Sequence, residues 1–189
     1  MNVLRFFLAS ALLMAATSVA ALEFTQVRPA ESRLTFAYEQ MGVPMDGRFS
    51  GFSAQLNFDP AKLAKASARI DVDVASIDTG SAEADAEVIG KAWFDARRFP
   101  KVTFVSSGIR ALGGNRYEAS GKLNIKGKTR EVVTPVTFQS SGNKGIFDGS
   151  FTIRRLDYAI GEGMWADVSA VADQVKINFR IVVHAASAK

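Results

Sequence analysis

Apolar and polar residues alternate through most of the chain. In SRLTFAYE the apolar side of the period is Leu34, Phe36 and Tyr38. In GFSAQLNF it is Phe52, Ala54, Leu56 and Phe58, and in ARIDVDVAS it is Ala68, Ile70, Val72 and Val74. RYEASGKLNI repeats it with Tyr117, Ala119, Gly121, Leu123 and Ile125, and GIFDGSFTI with Phe147, Phe151 and Ile153. QVKINFRIVV closes the series with Val175, Ile177, Phe179, Ile181 and Val183. A period of two marks strands with one dry face and one wet face. The turn signals MDGR, LGGNR, IKGKT and SGNKG stand between these runs. Short links predict antiparallel hairpins, and many of them in one domain-sized chain predict a sandwich or a barrel.

One segment changes period. From Ser81 to Phe94, Ala82, Ala86, Ile89 and Trp93 recur at helical spacing. Glu83, Asp85 and Glu87 come early and Lys91 late, which suits the helix dipole. Asp78, Thr79 and Ser81 offer caps, Gly90 weakens the end, and Pro100 forbids continuation. The stretch KAWFDARRFPKVTF therefore divides at Pro100. Trp93 and Phe94 end the helix, Arg97 and Arg98 occupy a bend near Asp95, and a strand with Val102 and Phe104 inward starts near Lys101. The aromatic end of the helix is expected to pack on the barrel near one opening, as lid or as plug.

The first residues read as an address. Arg5 precedes an apolar run from Phe6 to Ala16, and TSVAA supplies small residues for cleavage after Ala20 or Ala21. The run is shorter than the roughly 20 residues a spanning helix needs. The expectation is a cleaved signal peptide over 1–21, export to a periplasm, and one domain over 22–189. The chain has no cysteine, which removes disulfides, thiolate metal sites and a Cys nucleophile. Without the leader the chain carries 22 basic and 19 acidic side chains, a scattered +3. Nucleic-acid binding would call for a dense basic face instead.

Catalytic chemistry has little to draw on. His184 is the single histidine and shares the parity of Lys176 and Arg180, hence outward. It suits neither a triad nor a multi-histidine zinc site. Asp71 and Asp73 could hold a hard cation, but Ile70, Val72 and Val74 claim the dry face and leave both in water. Lys122, Lys126, Lys128 and Arg130 surround a turn, as a charged hairpin tip or as a site for an acidic partner. Arg155 and Asp157 follow the inward parity of Phe151 and Ile153. Either they face the interior, where they need partners, or the strand ends at Arg154 and both are wet. Small inward residues (Ala54, Ala68, Ala119, Gly121) could leave an apolar void for a lipid, or could relieve crowding where a barrel bends.

Taken in order, SRLTFAYEQMGVPMDGRFSGF, FDP at Phe58 to Pro60, ASIDTG, AWFDARRFPKVTF, GKLNIKGKTREV, RRLDY and VADQVKINF make a recognisable series. The chain resembles the YceI-like family of exported lipid-binding proteins over essentially its whole mature length. The resemblance implies an all-β fold, an eight-stranded antiparallel lipocalin-like barrel with one short helical excursion. It implies a carrier for a long apolar chain, isoprenoid, quinone-like or fatty, and no enzyme and no cofactor. IGEGMWADVSAVADQV looks like the branch found near or fused to membrane b-type cytochromes, so such a cytochrome is a candidate partner. Leu156 stands where the family often has a small polar residue. In such a barrel Phe36, Tyr38, Phe52, Leu56, Phe104, Leu123, Phe151, Ile177 and Phe179 would line the ligand chain. Trp93 and Phe94 would close over it, and Arg155, Asp157 and Trp165 would meet a headgroup. The rival readings are a lipid-acting enzyme using Arg155 and Asp157, and a structural module for the cytochrome. A homodimer is left open.

Overall fold

A computed structural model describes residues 22–186; the expected signal peptide lies outside them. The alternating runs become eleven strands: β1 (Phe24–Val27), β2 (Arg33–Gln40), β3 (Val43–Phe49), β4 (Phe52–Asn57), β5 (Ser67–Asp73), β6 (Ile77–Asp78), β7 (Lys101–Gly113), β8 (Arg116–Ile125), β9 (Lys128–Ser141), β10 (Lys144–Arg154) and β11 (Gln174–Ala185). All pair antiparallel in one sheet, in the order β4-β5-β7-β8-β9-β10-β11-β2-β3-β6. β1 joins β11 further along the edge that also carries β2. Phe24 then exchanges two backbone hydrogen bonds with Phe58, at 2.8 and 3.1 Å, just beyond β4. The sheet thus curls until its far strands meet. β3 and β4 are separated only by a bend at Ser50 and Gly51, so they act as halves of one bent strand. Counted that way, the eleven reduce to the eight long strands of a lipocalin-like barrel plus the short β1 and β6.

Several elements differ from the sequence pattern. MDGR is not a turn: Asp46 and Gly47 pair with Ala37 and Phe36 inside β3. The chain reverses at Met41 and Gly42, both with positive φ (49° and 75°), the conformation of a two-residue hairpin turn. β9 carries Pro135, which has no N–H to give a ladder, and its pairing with β10 stops beside it at Val136 and Gly149. The helix α1 is shorter than its pattern, Ala82–Val88. Ser81 caps it, accepting from the Ala84 N–H at 3.4 Å. After Val88 the Phe94 and Asp95 N–H groups turn back to the carbonyls of Val88 and Gly90, with Asp95 at φ 50°. Trp93 and Phe94 therefore sit in an irregular segment after the helix.

Two buried clusters close the barrel at its ends. Phe24, Phe58, Tyr117, Phe138 and Phe147 pack in edge-to-face and tilted pairs at one end, with ring centroids 4.6 to 6.5 Å apart. Trp93, Leu123, Ile125, Ile153, Tyr158, Ile160 and Val171 form the other. Between them the inward phenylalanines lie against the wall. A Cβ on Gly47 would meet the Phe36 ring at 2.2 Å, one on Gly121 the Phe104 ring at 2.5 Å, and one on Gly149 the Phe179 ring at 2.3 Å. Each glycine is a seat for a neighbouring strand's aromatic ring, which keeps the ring off the barrel axis.

Candidate ligand-binding site

Because the rings lie flat, the interior is hollow. A cavity of about 580 Å³ runs between the two clusters, within the usual range for ligand sites. Its wall follows the period-two reading: Leu34, Phe36 and Tyr38 of β2, Phe52 and Leu56 of β4, Ala68, Ile70 and Val72 of β5, Leu123 and Ile125 of β8, Phe147, Phe151 and Ile153 of β10, and Val175, Ile177 and Phe179 of β11. Phe104, Trp93, Phe94, Trp165 and Arg155 complete it among the residues singled out from sequence. Val102 of β7 and Phe58, Tyr117, Ala119 and Ile181, all on the inward parity, line it as well. Ile109 and Val136, which the sequence pattern does not mark, lie on β7 and β9, and Gln40, Thr79, Ser81, Glu83 and Glu87 frame the mouth. Pro135 interrupts the alternation of β9, and nothing in the α1 pattern says which opening that helix covers.

Asp157 is a correction. It does not line the cavity; its half-exposed carboxylate lies 3.8 Å from Arg130, on the outside. Arg155 and Asp157 form no pair, because β10 ends at Arg154 and a 3-10 turn over Arg155–Tyr158 sends the two side chains apart. Arg155 is 1 % exposed. Its Nε donates to the Ala172 carbonyl (3.1 Å), one terminal nitrogen to Ile160 and Gly161 (2.8 and 3.1 Å), and the other to Trp165 and Val171 (both 2.7 Å). A guanidinium has five N–H bonds, so every one is committed to a backbone carbonyl. Burial lowers its pKa, while the Asp173 carboxylate opposes the shift. Gly161, at φ 78°, comes so close that a Cβ there would meet the guanidinium at 2.2 Å. Arg155 is a clamp that ties the 160–172 segment across the barrel end.

The mouth lies beside this clamp. Trp93 packs on Trp165 with centroids 5.5 Å apart, and the Arg155 guanidinium lies 5.6 Å from the Trp93 ring centre. The Trp165 indole N–H donates to Glu87 of α1 at 2.9 Å, which ties the helix to the clamped segment. Phe94 meets Phe49 edge-on at 6.3 Å. Tyr38 faces the cavity from β2, and burial, with the nearby Asp85 carboxylate, raises the pKa of its hydroxyl.

The other charged candidates lie on the outer surface. Asp71 accepts from Arg69 and Thr103, and Asp73 accepts from the Ala75 N–H. His184, near the end of β11, does not line the cavity. Among the described residues no group of three or more His, Cys, Asp or Glu is placed to hold a metal. Lys126 is no solvated tip: it donates to the carbonyls of Lys91 and Ala159 and to Glu162. Arg98 meets Asp95 at 3.5 Å, so the expected bend pair forms, but between an exposed guanidinium and a buried carboxylate.

Known proteins place this architecture. The BcnA protein of Burkholderia cenocepacia is 47 % identical and superposes with a TM-score of 0.81, over 83 % of this chain and 99 % of that one. A polyisoprenoid binding domain from Saccharophagus degradans shares the fold at 16 % identity, with a TM-score of 0.68 over 88 % of this chain and 99 % of its own. A UPF0312 protein of Pseudomonas savastanoi is 26 % identical over 160 residues, covering 81 % of this chain and 83 % of the relative. A family model described as a YceI-like domain matches residues 26–183. With that match running from within β1 to within β11, the chain belongs to the YceI-like family.

Proposed function

We propose that the protein binds and carries a long apolar chain, isoprenoid or quinone-like, inside the barrel, and that it does so in the periplasm after removal of a leader over 1–21. The observation that carries this reading is the cavity of about 580 Å³ with an almost wholly apolar wall. Burying about ten methylenes at ~0.8 kcal/mol each gives ~8 kcal/mol, the scale of micromolar binding before ordering costs. No charge is needed to hold such a chain. The polyisoprenoid binding domain of the same fold supports the same class of ligand. The rival reading of a lipid-acting enzyme built on Arg155 with Asp157 loses its pair, since the two side chains have separate partners.

The test is native mass spectrometry with lipid extraction of the purified protein, then reloading after delipidation. Both tryptophans of the chain, Trp93 and Trp165, line the cavity, so their fluorescence reports occupancy. A bound or reloaded prenyl or quinone lipid at one per barrel is expected. A barrel that is empty as purified and takes up neither kind of lipid overturns the proposal.

A further inference from the structure

The cavity wall contains three charged side chains: Arg155, Glu83 and Glu87. Arg155 has no N–H left, since all five reach backbone carbonyls. Glu83 and Glu87 stand four residues apart on α1 and line the cavity, Glu87 with one carboxylate oxygen on the Trp165 indole N–H, so the lining charge there that no cation neutralises is negative. Hydrogen-bond donors, in contrast, are available. The Tyr38 hydroxyl and the Gln40 amide line the cavity and make no side-chain hydrogen bond among the described residues. Trp93 is 8 % exposed and lines the cavity, and its indole N–H is the one buried side-chain polar group without a partner among those residues.

We infer that this mouth selects apolar chains whose head is uncharged and accepts hydrogen bonds, such as a ketone, quinone or ester, and discriminates against heads that end in phosphate or carboxylate. The inference rests on the carrier reading and adds the chemistry of the head to it. An anionic head entering the wall gives up water and finds no free cation, which is costly. An anionic head left at the rim lies beside the Glu83 and Glu87 carboxylates, whose repulsion salt screens over a Debye length of ~10 Å at 0.1 M. A neutral acceptor meets neither penalty and takes the unused donors, and an unpaired buried donor is the kind of group whose pairing stabilises most.

The experiment compares two probes with the same chain, geranylgeranyl acetate and geranylgeranyl phosphate, on the delipidated full-length mature protein. Tryptophan fluorescence is the readout, with calorimetry as a check. The acetate is expected to bind at least about tenfold more tightly at low salt. Two variants separate the causes. Paired E83Q and E87Q substitutions should narrow the gap by strengthening phosphate binding, and Tyr38→Phe should weaken the acetate several-fold and leave the phosphate unchanged. Equal affinities, or tighter binding of the phosphate, overturn the inference while leaving the carrier intact. Binding of neither probe at any concentration tested overturns the carrier reading and the head selectivity together.

Discussion

Arg155 shows how far a single side chain can depart from its sequence reading. Its inward parity was legible, and an inward charge calls for partners. Those partners are the carbonyls of Ile160, Gly161, Trp165, Val171 and Ala172, all in an irregular segment with no period to read. Replacing Arg155 with Met should therefore cost at least about 3 kcal/mol in urea unfolding, because several buried carbonyls lose their donors at once. Arg155→Lys should rescue little of it, since an ammonium has three donors and no planar fork. Asp157→Asn should change stability by no more than about 0.5 kcal/mol and leave lipid uptake unchanged, as its ion pair is long and exposed.

At the scale of elements, the hollow depends on glycines seated under aromatic rings. Gly47→Ala or Gly149→Ala puts a methyl group into the Phe36 or Phe179 ring, and the ring can give way only toward the axis. Each change should cost about 1–3 kcal/mol and reduce lipid capacity in the same protein, measured by thermal unfolding and by titration with a prenyl lipid. The alternation identified the inner faces of β2, β4, β5, β8, β10 and β11 because each of those strands has one wet face. β3 and β9 escaped because Asp46-Gly47 imitates a turn and Pro135 imitates a strand break. In the first case the glycine is there to seat Phe36; in the second the proline stands where a ladder stops. α1 raises the question of lid or plug. Trp93 is held by Trp165 and Arg155, whereas Phe94 touches Phe49 across the cavity edge. Phe94→Ala should speed lipid release in stopped-flow with little change in unfolding midpoint, and Trp93→Ala should lower the midpoint first.

For the whole molecule, the acid limb of stability follows from carboxylates held in their charged form. Glu162 has its pKa lowered chiefly by the hydrogen bond from Lys126, and Asp78 chiefly by the Gly80 N–H, then by Arg48. Such groups bind more protons when unfolded, so their contribution is present above the unfolded pKa and is lost as pH falls through the lower folded one. The urea midpoint should hold steady from pH 7 to pH 5 and decline below about pH 4, where the unfolded carboxyls begin to take up protons. The fold class was legible at this scale because it rests on many strands agreeing. The mouth was not, because it is built where a hairpin tip, a helix and a clamped segment meet, and no local pattern encodes that meeting.

The two ends of the described chain lie side by side. Phe24 pairs with Ala185, and both sit in the aromatic cluster that seals the barrel opposite the mouth. Anything joined to either end is thus attached at the base of the vessel. A tether, a fused domain or a surface linker there would hold the molecule with its opening turned away, free to meet whatever it loads from.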